Sequence, residues 1–90
     1  MVTKNTVIRN ESGFHIRPAQ LFTEQAAKFQ SAIKVTIQDP HTVVDGKSIL
    51  GLMTLGLTKG KEITISAEGS DEADAIEALI SLVDSGFGEA

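Results

Sequence analysis

Apolar residues recur along this chain with two periods. In Ile33-Lys34-Val35-Thr36-Ile37-Gln38 they alternate with polar residues, the period of a strand with one buried face. Glu62-Ile63-Thr64-Ile65-Ser66-Ala67 repeats that alternation and is the strongest strand signal in the sequence. Thr3 to Arg9 carries a weaker version. Thr42-Val43-Val44, set off by the turn residues Asp39-Pro40-His41, reads as a hairpin partner that Asp45-Gly46 ends. The second period is helical. Ala19, Phe22, Ala26 and Phe29 predict a first helix from Ile16 to Phe29. Ile49, Leu52, Met53 and Gly56 mark one side of a short helix that Ser48 would cap, and Lys59-Gly60-Lys61 is the next turn. Gly69-Ser70 opens a last helix whose face is Ala73, Ile76, Ile80 and Val83, with Asp71 and Glu72 in the first turn, where negative charge suits the helix dipole. The order is βαββαβα, an α+β arrangement in which helices cover one face of a single antiparallel sheet.

Composition narrows the classes. Ninety residues suffice for one core but not two, and residues 1–90 are taken as a single domain. Apolar residues make up 41% and charged residues 22%, the balance of a folded globular chain. With no cysteine, neither a disulfide framework nor a thiolate metal site can form, which fits a reducing cytoplasm. Met1-Val2-Thr3-Lys4-Asn5-Thr6 lacks the apolar stretch of an export signal, and no apolar run approaches the ~18 residues of a membrane span. A formal charge of −4, a pI near 5.0 and only four Phe as aromatics argue against nucleic-acid binding, which needs cations and stacking platforms.

Candidate chemistry centres on Gly13-Phe14-His15-Ile16-Arg17-Pro18-Ala19, where a histidine stands at the start of the first predicted helix. At an N-cap position, a phosphoryl group on the His15 imidazole would lie where the first-turn amides of Ile16 and Arg17 can donate to it. Pro18 gives up an N–H that would have no intrahelical partner, and its fixed φ suits a helix start. Arg17 adds a planar cationic fork that matches phosphate oxygens. The positive helix end also disfavours imidazolium, so His15 stays neutral and nucleophilic near neutral pH. Gly13 permits a sharp entry. On physical grounds alone, a lone histidine before a helix is more often a surface residue or a weak cap.

The wider pattern resembles the HPr family, the histidine-containing phosphocarriers of the phosphoenolpyruvate-dependent sugar phosphotransferase system. Gly13 to Ala19 resembles the family's Gly-x-His-x-Arg-Pro-Ala signature. Lys47-Ser48-Ile49-Leu50-Gly51-Leu52-Met53 resembles its second motif, around a regulatory serine, and Leu55 to Gly60 with Ile63 to Gly69 resembles a third stretch. The resemblance implies an open-faced β-sandwich, a four-stranded antiparallel sheet with three helices on one side. It implies that His15 accepts phosphate at Nδ1 from phosphorylated Enzyme I and passes it to Enzyme IIA domains, assisted by Arg17. Such a protein is a cytoplasmic relay without a cofactor, and not an autonomous enzyme. The long turn around Gln38 to His41 and the ending Asp84-Ser85-Gly86-Phe87 resemble NPr, the nitrogen-branch relative, whereas the context Gly46 to Ile49 does not.

Two further expectations concern contacts. Ser48 is a natural N-cap, and by resemblance it is also a target of HPr kinase/phosphorylase, whose phosphate would put about two negative charges on the docking face. Control of a transcriptional regulator through this serine is the rival, binding-module reading. By resemblance, Phe14, Ile16, Ile49, Leu50, Met53 and Leu57 form the surface that docks Enzyme I and Enzyme IIA in turn, through small transient interfaces. Leu52 and Leu55 are assigned to the core. His41 reads as solvent-exposed, no metal site is expected, and a monomer is the simplest state for a shuttling carrier.

Overall fold

The alternating segments pair as one antiparallel sheet in a computed structural model that describes residues 1–10, 16–38 and 41–88. Strand β1 (Val2–Val7), helix α1 (Ile16–Ala26), strands β2 (Ala32–Ile37) and β3 (Thr42–Asp45), helix α2 (Ile49–Thr54), strand β4 (Glu62–Glu68) and helix α3 (Glu72–Asp84) follow in order, and a short 3₁₀ turn at Gly86–Gly88 comes last. The expected βαββαβα order therefore holds. The strands lie in the order β1-β4-β2-β3, all antiparallel, so the outer strands are β1 and β3.

Register decides what each face carries. Val35 opposes Ile65 and Ile33 opposes Ala67, so Ile33, Val35 and Ile37 of β2 share one face with Ile63, Ile65 and Ala67 of β4, and all six are buried. The helices lie on that side, with α3 against β1 and β4, α1 against α2 and α3, and α2 against β3. Phe22, Leu52, Ile63, Ile65, Leu79 and Val83 meet there with about 1% exposure or less. The opposite face is open and polar: Thr64 donates to Asn5 Oδ1 at 2.8 Å, and Thr3 bridges to Ser66 at 3.4 Å. Among the described residues no helix is long and apolar enough to cross a membrane.

Three boundaries differ from the periodicity. Strand β1 stops at Val7, although the Ile8 N–H still reaches the Lys61 carbonyl at 3.0 Å and Ile8 is fully buried. Helix α1 stops at Ala26, and Lys28 and Phe29 bond three residues back at 3.2 Å each, tightening the chain into the turn before β2. Helix α3 begins only at Glu72 and buries Ala75, Ile76, Leu79 and Val83, whereas Ala73 is exposed and Ile80 half-buried. Two apolar stripes share Ile76 and Val83, and packing on β1 and β4 selects the one through Leu79.

Gly46 marks where the hairpin must come closest to the core. Its N–H donates to the Ile33 carbonyl at 2.8 Å, and a Cβ there would stand 2.5 Å from Ile33 Cγ2. Only glycine fits without displacing the strand.

Candidate functional site

Residues Gly13, Phe14 and His15 lie outside the described residues, as do Asp39 and Pro40. The described part of the site begins at Ile16, the first residue of α1. Ile16 and Arg17 point outward, with Ile16 63% exposed, while Pro18 and Ala19 turn into the protein and are buried. This division follows from helical geometry: the face that carries Ala19, Phe22 and Ala26 is committed to the core, so the first two positions remain at the surface. An 11-residue helix aligned this way presents its first amides at the end that follows His15 directly.

Helix α2 packs against α1 and starts from a turn with its own hydrogen bonds. Asp45 Oδ1 accepts the Lys47 N–H at 2.9 Å, and the Asp45 carbonyl accepts the Ser48 N–H at 3.1 Å. Ser48, in an extended conformation, then caps the helix: its Oγ accepts the Gly51 N–H at 3.1 Å. Sequence reasoning anticipated this cap but not the role of Lys47, whose ammonium donates to the Phe29 carbonyl at 2.9 Å and ties the start of α2 to the turn after α1. The signal available was Asp-Gly-Lys, an Asx-type turn leading into a cap.

The exposed apolar residues fall on these two helices. Leu50 is 80% exposed, and Ile49 and Met53 are exposed as well, as is Ile16 on α1. Leu52 and Leu55 are in the core, as expected. Leu57 is not a surface residue: it is only 4% exposed and belongs to the core cluster, which corrects its assignment to the docking surface. Beyond α2, Gly56 takes a φ of +61° and reverses the chain, which swings Leu57 inward. His41 is exposed at the β2–β3 turn.

Away from the helix pair, Asp71 was missed as a structural anchor. It occupies the N-cap position of α3, yet its carboxylate makes no cap bond. Instead it accepts the N–H groups of Gln30 at 2.8 Å and Ser31 at 3.0 Å, and the buried Ser31 hydroxyl at 2.5 Å. The Ser31 hydroxyl, followed by the Gln30 N–H, holds the Asp71 carboxyl below its usual pKa, against the opposing cost of burial. Glu72 is lowered chiefly by its hydrogen bond to the N-terminal ammonium of Met1, 3.0 Å away, and then by the Gly69 N–H.

Comparison with known proteins decides the affiliation. The family described as "PTS HPr component phosphorylation site" matches residues 2–85. The chain belongs to the HPr family. Phosphocarrier protein HPr of Neisseria meningitidis serogroup A is 42% identical over 89 residues, covering 99% of this chain and 98% of that protein. Among solved structures of the HPr family, HPr-C-His from Thermoanaerobacter tengcongensis is 44% identical and covers 100% of this chain and 99% of its own, with a TM-score of 0.93. An HPr dimer from the same organism is 45% identical, covering 99% and 100% of the two chains, with a TM-score of 0.77. The open-faced sheet with three helices on one side is thus the HPr fold.

Proposed function

We propose that this chain carries phosphoryl groups on His15, accepting them from phosphorylated Enzyme I and donating them to Enzyme IIA domains in cytoplasmic sugar uptake. The observation that carries the reading is the family match across residues 2–85, which spans the run Gly13 to Ala19. The neutral Nδ1 lone pair attacks phosphorus while the bond to the donor breaks, and the imidazole proton stays on Nε2. Transfer onward reverses these roles. The amides of Ile16 and Arg17 at the start of α1 stabilise the phosphoryl oxygens, and the Arg17 guanidinium supplies positive charge that the donor or acceptor can share.

Docking uses Phe14, Ile16, Ile49, Leu50 and Met53, of which the last four are exposed on two helices packed against each other. Side chains left in water at this density suit short-lived interfaces with unlike partners, and Met53 can repack between them. The carrier acts as a monomer, because each partner must reach the same surface in turn. Incubation with phosphoenolpyruvate and Enzyme I is expected to add one acid-labile phosphate to the wild type and none to His15→Ala. Equal labelling of the two proteins would refute the assignment. Arg17→Ala is expected to slow transfer with the fold intact, read by single-turnover kinetics with each partner.

A second reading, control through Ser48, is favoured by the context Gly46-Lys47-Ser48-Ile49. Ser48 is half-buried and its Oγ accepts the Gly51 N–H, so phosphorylation would act on a hydroxyl already engaged in the cap. Incubation with HPr kinase/phosphorylase and ATP is expected to modify Ser48 and not Ser48→Ala, checked by intact mass.

A further inference from the structure

Oxidisable side chains are few in this protein. It has no Cys, Trp or Tyr, and its only sulfur atoms belong to Met1 and Met53. Peroxides convert thioethers to sulfoxides and leave phenyl and aliphatic groups unchanged, so mild oxidation falls on these two residues. Neither methionine is in the core: Met1 is exposed, and Met53, on α2, is 38% exposed.

Met53 stands where a change of polarity has consequences. Ile49 precedes it by one helical turn, and these two with Leu50 are the exposed large apolar residues of α2. The backbone there is held independently of the side chain. The Met53 carbonyl accepts the Gly56 N–H at 3.4 Å, and the neighbouring Leu52 is the residue of α2 that enters the core. Oxidation of the sulfur therefore adds an S=O group to a side chain still in contact with water and leaves α2 in place. In the free protein that oxygen is hydrated. Under an apolar partner it loses its water, and an unpaired acceptor in such a contact opposes association.

We infer that Met53 is a reversible oxidation site whose sulfoxide weakens association with Enzyme I, a role that rests on the docking surface proposed above. The step is a two-electron oxidation of the thioether. One oxygen of hydrogen peroxide is transferred to the Met53 sulfur, the O–O bond breaks, and the other oxygen leaves as water. A thiol-dependent methionine sulfoxide reductase removes the added oxygen as water and restores the thioether. Peroxide then slows phosphoryl transfer at the docking step and not at His15.

The full chain, treated with dilute hydrogen peroxide and then freed of it, is mapped by peptide mass and titrated with Enzyme I. One added oxygen on Met53 and an unchanged melting temperature are expected. Association is expected to be about tenfold weaker than in the untreated chain, and methionine sulfoxide reductase to return the original affinity. Met53→Leu, which keeps Met1, is compared with its own untreated form and is expected to lose nothing on oxidation. Met53 left unmodified in the folded chain, full binding by the oxidised chain, or an equal loss in Met53→Leu would each overturn this role. Leu50→Ala, titrated alongside, separates the two levels. Weakened binding by that variant with full binding by the oxidised chain removes the Met53 switch alone, whereas full binding by both removes the docking surface as well.

Discussion

Asp71 shows how one carboxylate can join elements that are remote in the chain. It accepts hydrogen bonds from residues 40 and 41 positions earlier and so fastens the turn before β2 to the start of α3. Its folded-state pKa lies below the usual 3.8, so its contribution is fully present above that value and disappears as pH falls through the lower, folded value. Asp71→Asn is therefore expected to lower the melting temperature at neutral pH, with the gap to wild type narrowing in acid. Thermal unfolding followed from pH 7 to pH 2 checks this, and parallel curves would remove Asp71 from the account. Ser48 is a second single-residue case. Loss of its cap in Ser48→Ala is expected to cost about 1 kcal/mol, seen as a lower urea midpoint at unchanged slope. Serine before an apolar run made that cap legible in the sequence. The partners of Asp71 were not legible, because Asp-Glu at a helix start suggests only a favourable charge near a dipole.

At the level of elements, α2 and the turn after it divide similar leucines between opposite roles. Leu50 is 80% exposed and Leu57 4% exposed. Leu57→Ala is expected to destabilise the fold by about 2–5 kcal/mol, the usual loss on truncating a buried leucine. Leu50→Ala is expected to change stability by less than about 0.5 kcal/mol while weakening association with Enzyme I. Denaturant unfolding and a binding titration on both variants separate the roles, and a Leu50 variant that binds normally would exclude it from the docking surface. Periodicity placed Leu52 on the buried side of α2 but put Ile49 and Met53 there too, which are exposed, and the surface position of Leu50 was expected from the family resemblance alone. Periodicity could not place Leu57, whose direction depends on the chain reversal at Gly56. The same limit applied to α3, where two stripes were compatible with the sequence and contact with the sheet chose between them.

Across the whole molecule, stability rests on one cluster that includes Phe22 of α1 and the buried residues of β2 and β4. Phe22→Ala is expected to cost about 3–5 kcal/mol and to lower every probe of unfolding together, since a single small core unfolds as a unit. Fluorescence is poorly suited to this chain, which has no Trp or Tyr, so circular dichroism and amide exchange are the measurements to compare. Charge is also distributed globally: all eight Lys and Arg precede Glu62, α2 carries none, and α3 bears Glu72, Asp74, Glu77 and Asp84. By itself the sequence determined the element types and order, the buried faces of β2, β4 and α1, and the histidine motif, because periodicity and local chemistry are properties of neighbouring residues. Tertiary structure alone decided the strand order β1-β4-β2-β3, the inward turn of Leu57 and the stripe used by α3. Each of these depends on surfaces brought together from distant parts of the chain, where shape and hydrogen-bond geometry choose among arrangements that local pattern leaves equivalent.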